Sequence, residues 1–71
     1  MHLHEAIDKV LRENKRPMSS RELADEINAR GLYIRPSDGR PPQATQVGAR
    51  VRHRTYRDQY RIDADHRISP A

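Results

Sequence analysis

Arg16-Pro-Met-Ser-Ser-Arg-Glu-Leu-Ala-Asp-Glu-Ile-Asn-Ala-Arg-Gly-Leu-Tyr33 contains a whole helix with both of its ends written in the residues. Pro17 pushes the residue before it out of the α region, so any helix upstream must stop there. Met18 follows as a short extended piece. Ser19 and Glu22 have the spacing of a capping box, with Ser20 as an alternative cap. Leu23, Ala24 and Ile27 make one apolar stripe, and Gly31 supplies the residue that a left-handed C-terminal cap prefers.

Upstream, Leu3, Ala6, Ile7, Val10 and Leu11 recur at helical spacing and predict a first helix that ends before Pro17. Its other face is charged, and Glu5–Lys9 and Asp8–Arg12 are i,i+4 pairs in the favourable order. Downstream, Leu32-Tyr-Ile34 is apolar, and Arg35-Pro-Ser-Asp-Gly-Arg-Pro-Pro42 is turn chemistry. A third helix is expected over about 42–54, with Ala44, Val47, Gly48 and Val51 inward. Gly48 costs about 1 kcal/mol relative to alanine in a helix, and close contact with a neighbour would account for it. Tyr60, Ile62 and Ile68 then alternate with Arg61 and Arg67 around Asp63-Ala-Asp-His66. This pattern predicts a C-terminal hairpin, whose turn lacks the glycine that two-residue loops prefer. The fold class is mainly α with a small β hairpin: three helices and a wing, as one domain over residues 1–71, which also suits the N-terminal module of a larger protein.

Composition narrows the function. The 71 residues include no Cys, Phe or Trp, so disulfides and thiol chemistry are excluded. A chain this short hides only about 60% of its unfolded surface, which leaves a thin core. No apolar run approaches the roughly 20 residues of a membrane span, and no signal-peptide pattern opens the chain; the expectation is a bacterial cytoplasmic protein, on the nucleoid when bound. The net charge of +4 is unevenly placed. Lys9, Arg12, Lys15, Arg16, Arg21 and Arg30 are balanced by Glu5, Asp8, Glu13, Glu22, Asp25 and Glu26. From residue 35 onward, Arg35, Arg40, Arg50, Arg52, Arg54, Arg57, Arg61 and Arg67 face only Asp38, Asp58, Asp63 and Asp65. The whole surplus lies in the second half, and no acid falls between Gln43 and Arg57.

Leu3-His-Glu-Ala-Ile-Asp-Lys-Val-Leu-Arg-Glu13, the Arg16–Tyr33 stretch, and Pro42-Gln-Ala-Thr-Gln-Val-Gly-Ala-Arg-Val-Arg52 with Tyr56 and Tyr60 together resemble the HARE-type winged helix-turn-helix. This module is shared by additional-sex-combs-like chromatin proteins, bacterial restriction endonucleases and the delta subunit of bacterial RNA polymerase. The resemblance runs from about Leu3 to Ile68 and is strongest over the first two helices. It implies a DNA-binding accessory module, with no catalysis of its own, that is usually fused to or associated with an enzyme such as a nuclease. In restriction systems such modules have been proposed to discriminate modified DNA.

In helix-turn-helix docking the last helix enters the major groove with its N-terminal half nearest the bases. That assigns Gln43, Thr45, Gln46 and Arg50 to base edges. Glutamine can pair with adenine, arginine with guanine, and a threonine methyl can touch the thymine methyl. Arg52, His53, Arg54 and Arg57 are assigned to phosphates, which supply affinity and salt sensitivity rather than sequence. Arg61, His66 and Arg67 form the wing, although Asp63 and Asp65 beside them repel phosphate. Ser19, Ser20 and Arg21 lie at the start of the second helix, where free N–H groups favour a phosphate; a plain helix cap explains the serines equally.

Catalytic readings lack a constellation. Glu13-Asn-Lys15 fits half of a nuclease motif, but its only candidate partner, Asp38, falls in a loop, whereas such a site needs carboxylates converging on a metal. His2-Leu-His4 and Asp63-Ala-Asp65 lack a third metal ligand at a suggestive spacing. No cofactor, small-molecule substrate or membrane partner is expected. Two readings stay open: a double-stranded DNA-binding module, and a protein-interaction winged helix that docks on RNA polymerase or a partner enzyme.

Overall fold

The computed structural model describes residues 1–71. The chain runs α1 (Leu3–Asn14), β1 (Met18–Ser19), α2 (Ser20–Arg30), α3 (Ala44–Arg52), a single 3-10 turn at Arg57–Gln59, β2 (Tyr60–Ile62) and β3 (Arg67–Pro70). The three strands form an antiparallel sheet in the order β1-β3-β2. This is the layout of a winged helix-turn-helix.

Each helix buries the stripe its sequence writes. Leu3, Ala6, Ile7, Val10 and Leu11 of α1, Leu23, Ala24 and Ile27 of α2, and Val47 and Val51 of α3 form one core with Met18, Tyr60 and Ile68. At α2 the capping box is complete: the Glu22 N–H donates to Ser19 Oγ and the Ser19 N–H donates to Glu22 Oε1, both at 3.1 Å. Gly31 closes α2 at φ 62°, and the Leu32 N–H reaches back to the Ile27 carbonyl. The turn expected around Ser37-Asp-Gly39 is present, closed by the Arg35 N–H on the Arg40 carbonyl, with Gly39 at φ 69°.

Four features differ from the sequence expectation. Met18 is not merely extended; it pairs with Ile68, which makes β1 a third strand and ties the α1–α2 junction to the wing. The third helix, expected over 42–54, spans Ala44–Arg52 with Gln43 as its N-cap, and Ala44 is only half-buried. It stops because the following residues have stronger partners. His53 turns extended (φ −61°, ψ 136°), its carbonyl accepts the N–H groups of Tyr56 and Arg57, and this turn delivers Tyr56 and Tyr60 to α1. His53 and Arg54 therefore lie beyond the helix. The wing turn is a three-residue loop closed by the His66 N–H on the Asp63 carbonyl, and His66 itself adopts φ 61°, the place a glycine usually takes. The Asp63 carboxylate accepts the N–H groups of Asp65 and Arg67, both at 2.9 Å, so it supports the turn from within.

Tyr60 fixes the wing to α1. Its hydroxyl donates to Asp8 Oδ1 at 2.6 Å and lies 3.3 Å from the His4 carbonyl. Burial, and then the Asp8 carboxylate, raise the phenol well above its usual value near 10. A raised tyrosine stabilises the fold fully below the unfolded value, and that contribution is lost as pH rises through the folded one. Tyr60→Phe is expected to cost about 1.5 kcal/mol at pH 7, as loss of a hydrogen bond to a charged group does. It should also flatten the decline in stability above about pH 10. Urea unfolding at pH 7 and 10.5 measures both effects, and an unchanged alkaline limb would assign the decline elsewhere.

Candidate nucleic-acid interface

The exposed surface of α3 has a ridge and two flanks. Thr45, Ala49 and Arg52 are exposed along the ridge. On one flank, Ser20 at the start of α2 faces Ala44, Thr45, Gly48, Ala49 and Arg52 across a shallow groove. On the other, Gln46, Ala49, Arg50 and His53 face Leu3 and Tyr33. Positions 43, 46 and 50 thus do not lie along the crest; Gln46 and Arg50 sit on its second flank, half-buried.

Several of these side chains already have partners. Gln46 Oε1 accepts the Gln43 N–H at 3.1 Å, so Gln46 caps the helix that it was expected to read from. Arg52 Nη1 donates to the Gly48 carbonyl at 3.1 Å and covers the glycine. A Cβ at Gly48 would lie 2.9 Å from Arg52 Nη1 and 3.2 Å from Ser20 Oγ, which is the close contact the glycine implied. The Arg50 guanidinium sits 5.7 Å from the centre of the Tyr56 ring. His53 Nδ1 accepts the Thr55 N–H at 3.1 Å.

Two groups that are distant in sequence are brought together. Arg67 of β3 is the pairing partner of Ser19, so the base of the wing adjoins the N-terminus of α2. There Ser19 is committed to the cap, Ser20 turns towards Gly48, and Arg21 is exposed. Arg61, His66 and Arg67 are all exposed on the wing, and Arg54 and Arg57 on the turn before it.

The ion pairs divide the molecule. Glu13 receives Lys9 at 3.1 Å and also Arg30, Arg30 holds Glu26 at 2.9 Å, and Arg16 holds Glu22 at 3.0 Å. The Arg30 guanidinium, then Lys9, keep the Glu13 carboxyl below its ordinary range, and the Ser19 N–H, then Arg16, do the same for Glu22. In the loop, Arg35 pairs with Asp38 at 3.1 Å. None of Arg50, Arg52, Arg54, Arg57, Arg61 and Arg67 has a carboxylate within ion-pair distance. The surplus charge is thus uncompensated in space as well as in sequence.

Sequence reasoning passed over Ala49 and Tyr56. The spacing of residues 45, 49 and 52 would have placed Ala49 on the crest. Nothing in the sequence indicates that Tyr56 stacks on His4, at 4.6 Å between ring centres, because 52 positions separate them. His2, His4, Asp63 and Asp65 do not gather with other His, Asp or Glu side chains into a group of three able to hold a metal. No helix is long and apolar enough to cross a membrane.

A search of curated proteins and a search of solved structures found no match. The HARE-HTH family model, described as the HTH domain of ASXL proteins and restriction endonucleases, matches residues 1–59. The match covers all three helices and the turn that leads to the wing, so the chain belongs to the HARE-HTH family of helix-turn-helix DNA-binding domains.

Proposed function

We propose that the chain is a double-stranded DNA-binding module, without catalytic activity of its own, that places α3 in the major groove. Thr45, Gln43 and Arg50 address base edges, joined by Gln46 through the amide nitrogen its cap leaves free. Arg52, His53, Arg54 and Arg57 meet the phosphates. Arg61, His66 and Arg67 extend the contact as a wing, and Arg21, beside Ser19 and Ser20, meets the strand next to Arg67. The observation that carries this reading is the set of arginines from Arg50 onward, all without a carboxylate partner. Unpaired guanidinium groups are ready to exchange water for phosphate, with no ion pair to break first.

The family description names restriction endonucleases. In that setting the module serves a restriction or modification-sensing system in the bacterial cytoplasm, holding a fused or associated nuclease on DNA. A comparison of methylated with plain duplex tests the modification-sensing part.

Fluorescence anisotropy with a labelled duplex tests the whole. Engagement of about four phosphates weakens binding roughly 100-fold between 50 and 200 mM salt, because each contact releases condensed counterions. Salt-independent binding, or none at 50 mM, would overturn the reading. The second reading, docking on RNA polymerase or a partner enzyme, is favoured by one observation: Ile34 is 58% exposed, in the loop beside Tyr33. Ile34→Ser separates the two, since it should leave duplex binding unchanged and weaken a protein complex.

A further inference from the structure

Three of the four histidines gather at one place. The rings of His2 and His4 are stacked 5.7 Å apart, His4 stacks on Tyr56 at 4.6 Å, and His53 tilts against Tyr56 at 5.9 Å. Arg50 lies over the same tyrosine. We propose that His2, His4 and His53, with Arg50, form a proton-linked site for a backbone phosphate of the bound duplex. The proposal rests on the DNA-binding reading and extends its surface onto the start of α1.

The charged and titratable neighbours support it. On α1, Glu5 is the nearest acid, and its carboxylate accepts the His2 N–H at 2.8 Å. Asp8, one turn on, is committed to the Tyr60 hydroxyl. Neither carboxylate is bonded to an imidazole. From the other side come Arg50, which adds positive charge, and the phenols of Tyr56 and Tyr60. With the Thr55 N–H on its Nδ1, neutral His53 carries its own proton on Nε2, a donor available to a ligand. His4 Nδ1 is buried without any partner.

Histidine ordinarily titrates between pH 5 and 8. Here, charging one imidazole places it beside another imidazole and near a guanidinium, so repulsion holds the cluster neutral unless an anion is present. A phosphate removes that penalty, and protonation in turn doubles the N–H donors each ring can offer it. Binding and protonation must then favour each other by the same factor. A strand phosphate suits the location, because Arg50 and His53 belong to the C-terminal part of the docking helix. That part rises out of the groove when the N-terminal half faces the bases.

The test measures duplex affinity of the whole chain at pH 6.0 and 7.5 at constant salt, with titration calorimetry in buffers of different ionisation heat. One linked proton changes affinity up to tenfold per pH unit, so roughly tenfold tighter binding at pH 6.0 is expected, with net proton uptake. H2Q/H4Q should flatten the pH dependence and abolish the uptake, while H66Q should leave both in place. Histidine ring NMR of the unaltered protein gives a readout independent of any variant. At pH 6.5, added duplex should move the His2 and His4 resonances towards their protonated positions. Duplex binding without pH dependence or proton uptake overturns this proposal and leaves the DNA-binding reading standing. Uptake driven equally well by inorganic phosphate alone overturns the strand-phosphate assignment. Absence of duplex binding at both pH values overturns the two together.

Discussion

A Gly48→Leu protein is expected to lose about 2–3 kcal/mol of stability, the upper part of the range for overpacking a close contact. The reason is the crossing of α2 and α3. Gly48 is the point at which Ser20, the first residue of α2, meets α3, and even a Cβ there would lie 3.2 Å from Ser20 Oγ. The nearer atom, Arg52 Nη1 at 2.9 Å, ends a flexible side chain that can swing into solvent. Gly48→Ala therefore displaces Arg52, shifts Ser20 by a few tenths of an ångström, and regains about 1 kcal/mol of helix propensity; it should be close to neutral. Leucine adds three further carbons with no space beside Ser20, so the two helices must part. A domain of this length has a total stability of roughly 4–10 kcal/mol, which makes the loss a large fraction of it. Thermal unfolding should fall by roughly 10–20 °C for leucine and by little for alanine, since each kcal/mol moves Tm by about 4–8 °C in domains of this size. Equal, small shifts for both would show that α2 and α3 are free to separate at this crossing.

How much of this was legible depends on the range over which each residue acts. The α1 stripe of Leu3, Ala6, Ile7, Val10 and Leu11 is readable because helical periodicity is local, and every one of those residues is buried. The Ser19–Glu22 box and Gly31 are equally local, and both ends of α2 fall where they indicate. The end of α3 was misplaced because nothing between Arg52 and Tyr60 is a glycine or a proline. The chain leaves the helix so that Tyr60 can reach Asp8, a contact across 52 positions that no window of sequence contains. The strand at Met18 escaped for a similar reason: two residues carry no alternation, and only the pairing with Ile68 and Arg67 makes them a strand. At the candidate site, the charge asymmetry was visible in sequence because it is a count. The commitment of Gln46 to a cap and the gathering of His4, His53 and Arg50 around Tyr56 were not, because they depend on how α1 and α3 meet.

Arg50→Ala should weaken duplex binding by about 1–3 kcal/mol, or roughly 5- to 150-fold, if the guanidinium pairs with a base edge. The fold should hardly notice. Arg50 makes no ion pair, and its contact with the Tyr56 ring, at 5.7 Å, is of the kind that contributes about 0.5–1 kcal/mol at an exposed site. The substitution therefore separates recognition from stability more cleanly than Gln46→Ala. Losing Gln46 also leaves the Gln43 N–H without its acceptor and frays the start of α3. Binding to a panel of duplexes supplies the second readout. A base contact by Arg50 means that Arg50→Ala both weakens binding and reduces the spread of affinities across the panel, since discrimination at one position is lost. Arg54→Ala, from the turn beyond α3, should instead weaken every duplex alike and reduce the salt slope by about 1, the signature of a lost phosphate contact. If Arg50→Ala behaves as Arg54→Ala should, Arg50 belongs to the phosphate set, and base reading falls to Thr45, Gln43 and the exposed Ala49 between them and Arg52. Ala49 fits that role physically: its side chain is small enough to let the backbone of α3 approach a base, and its methyl can meet that of thymine.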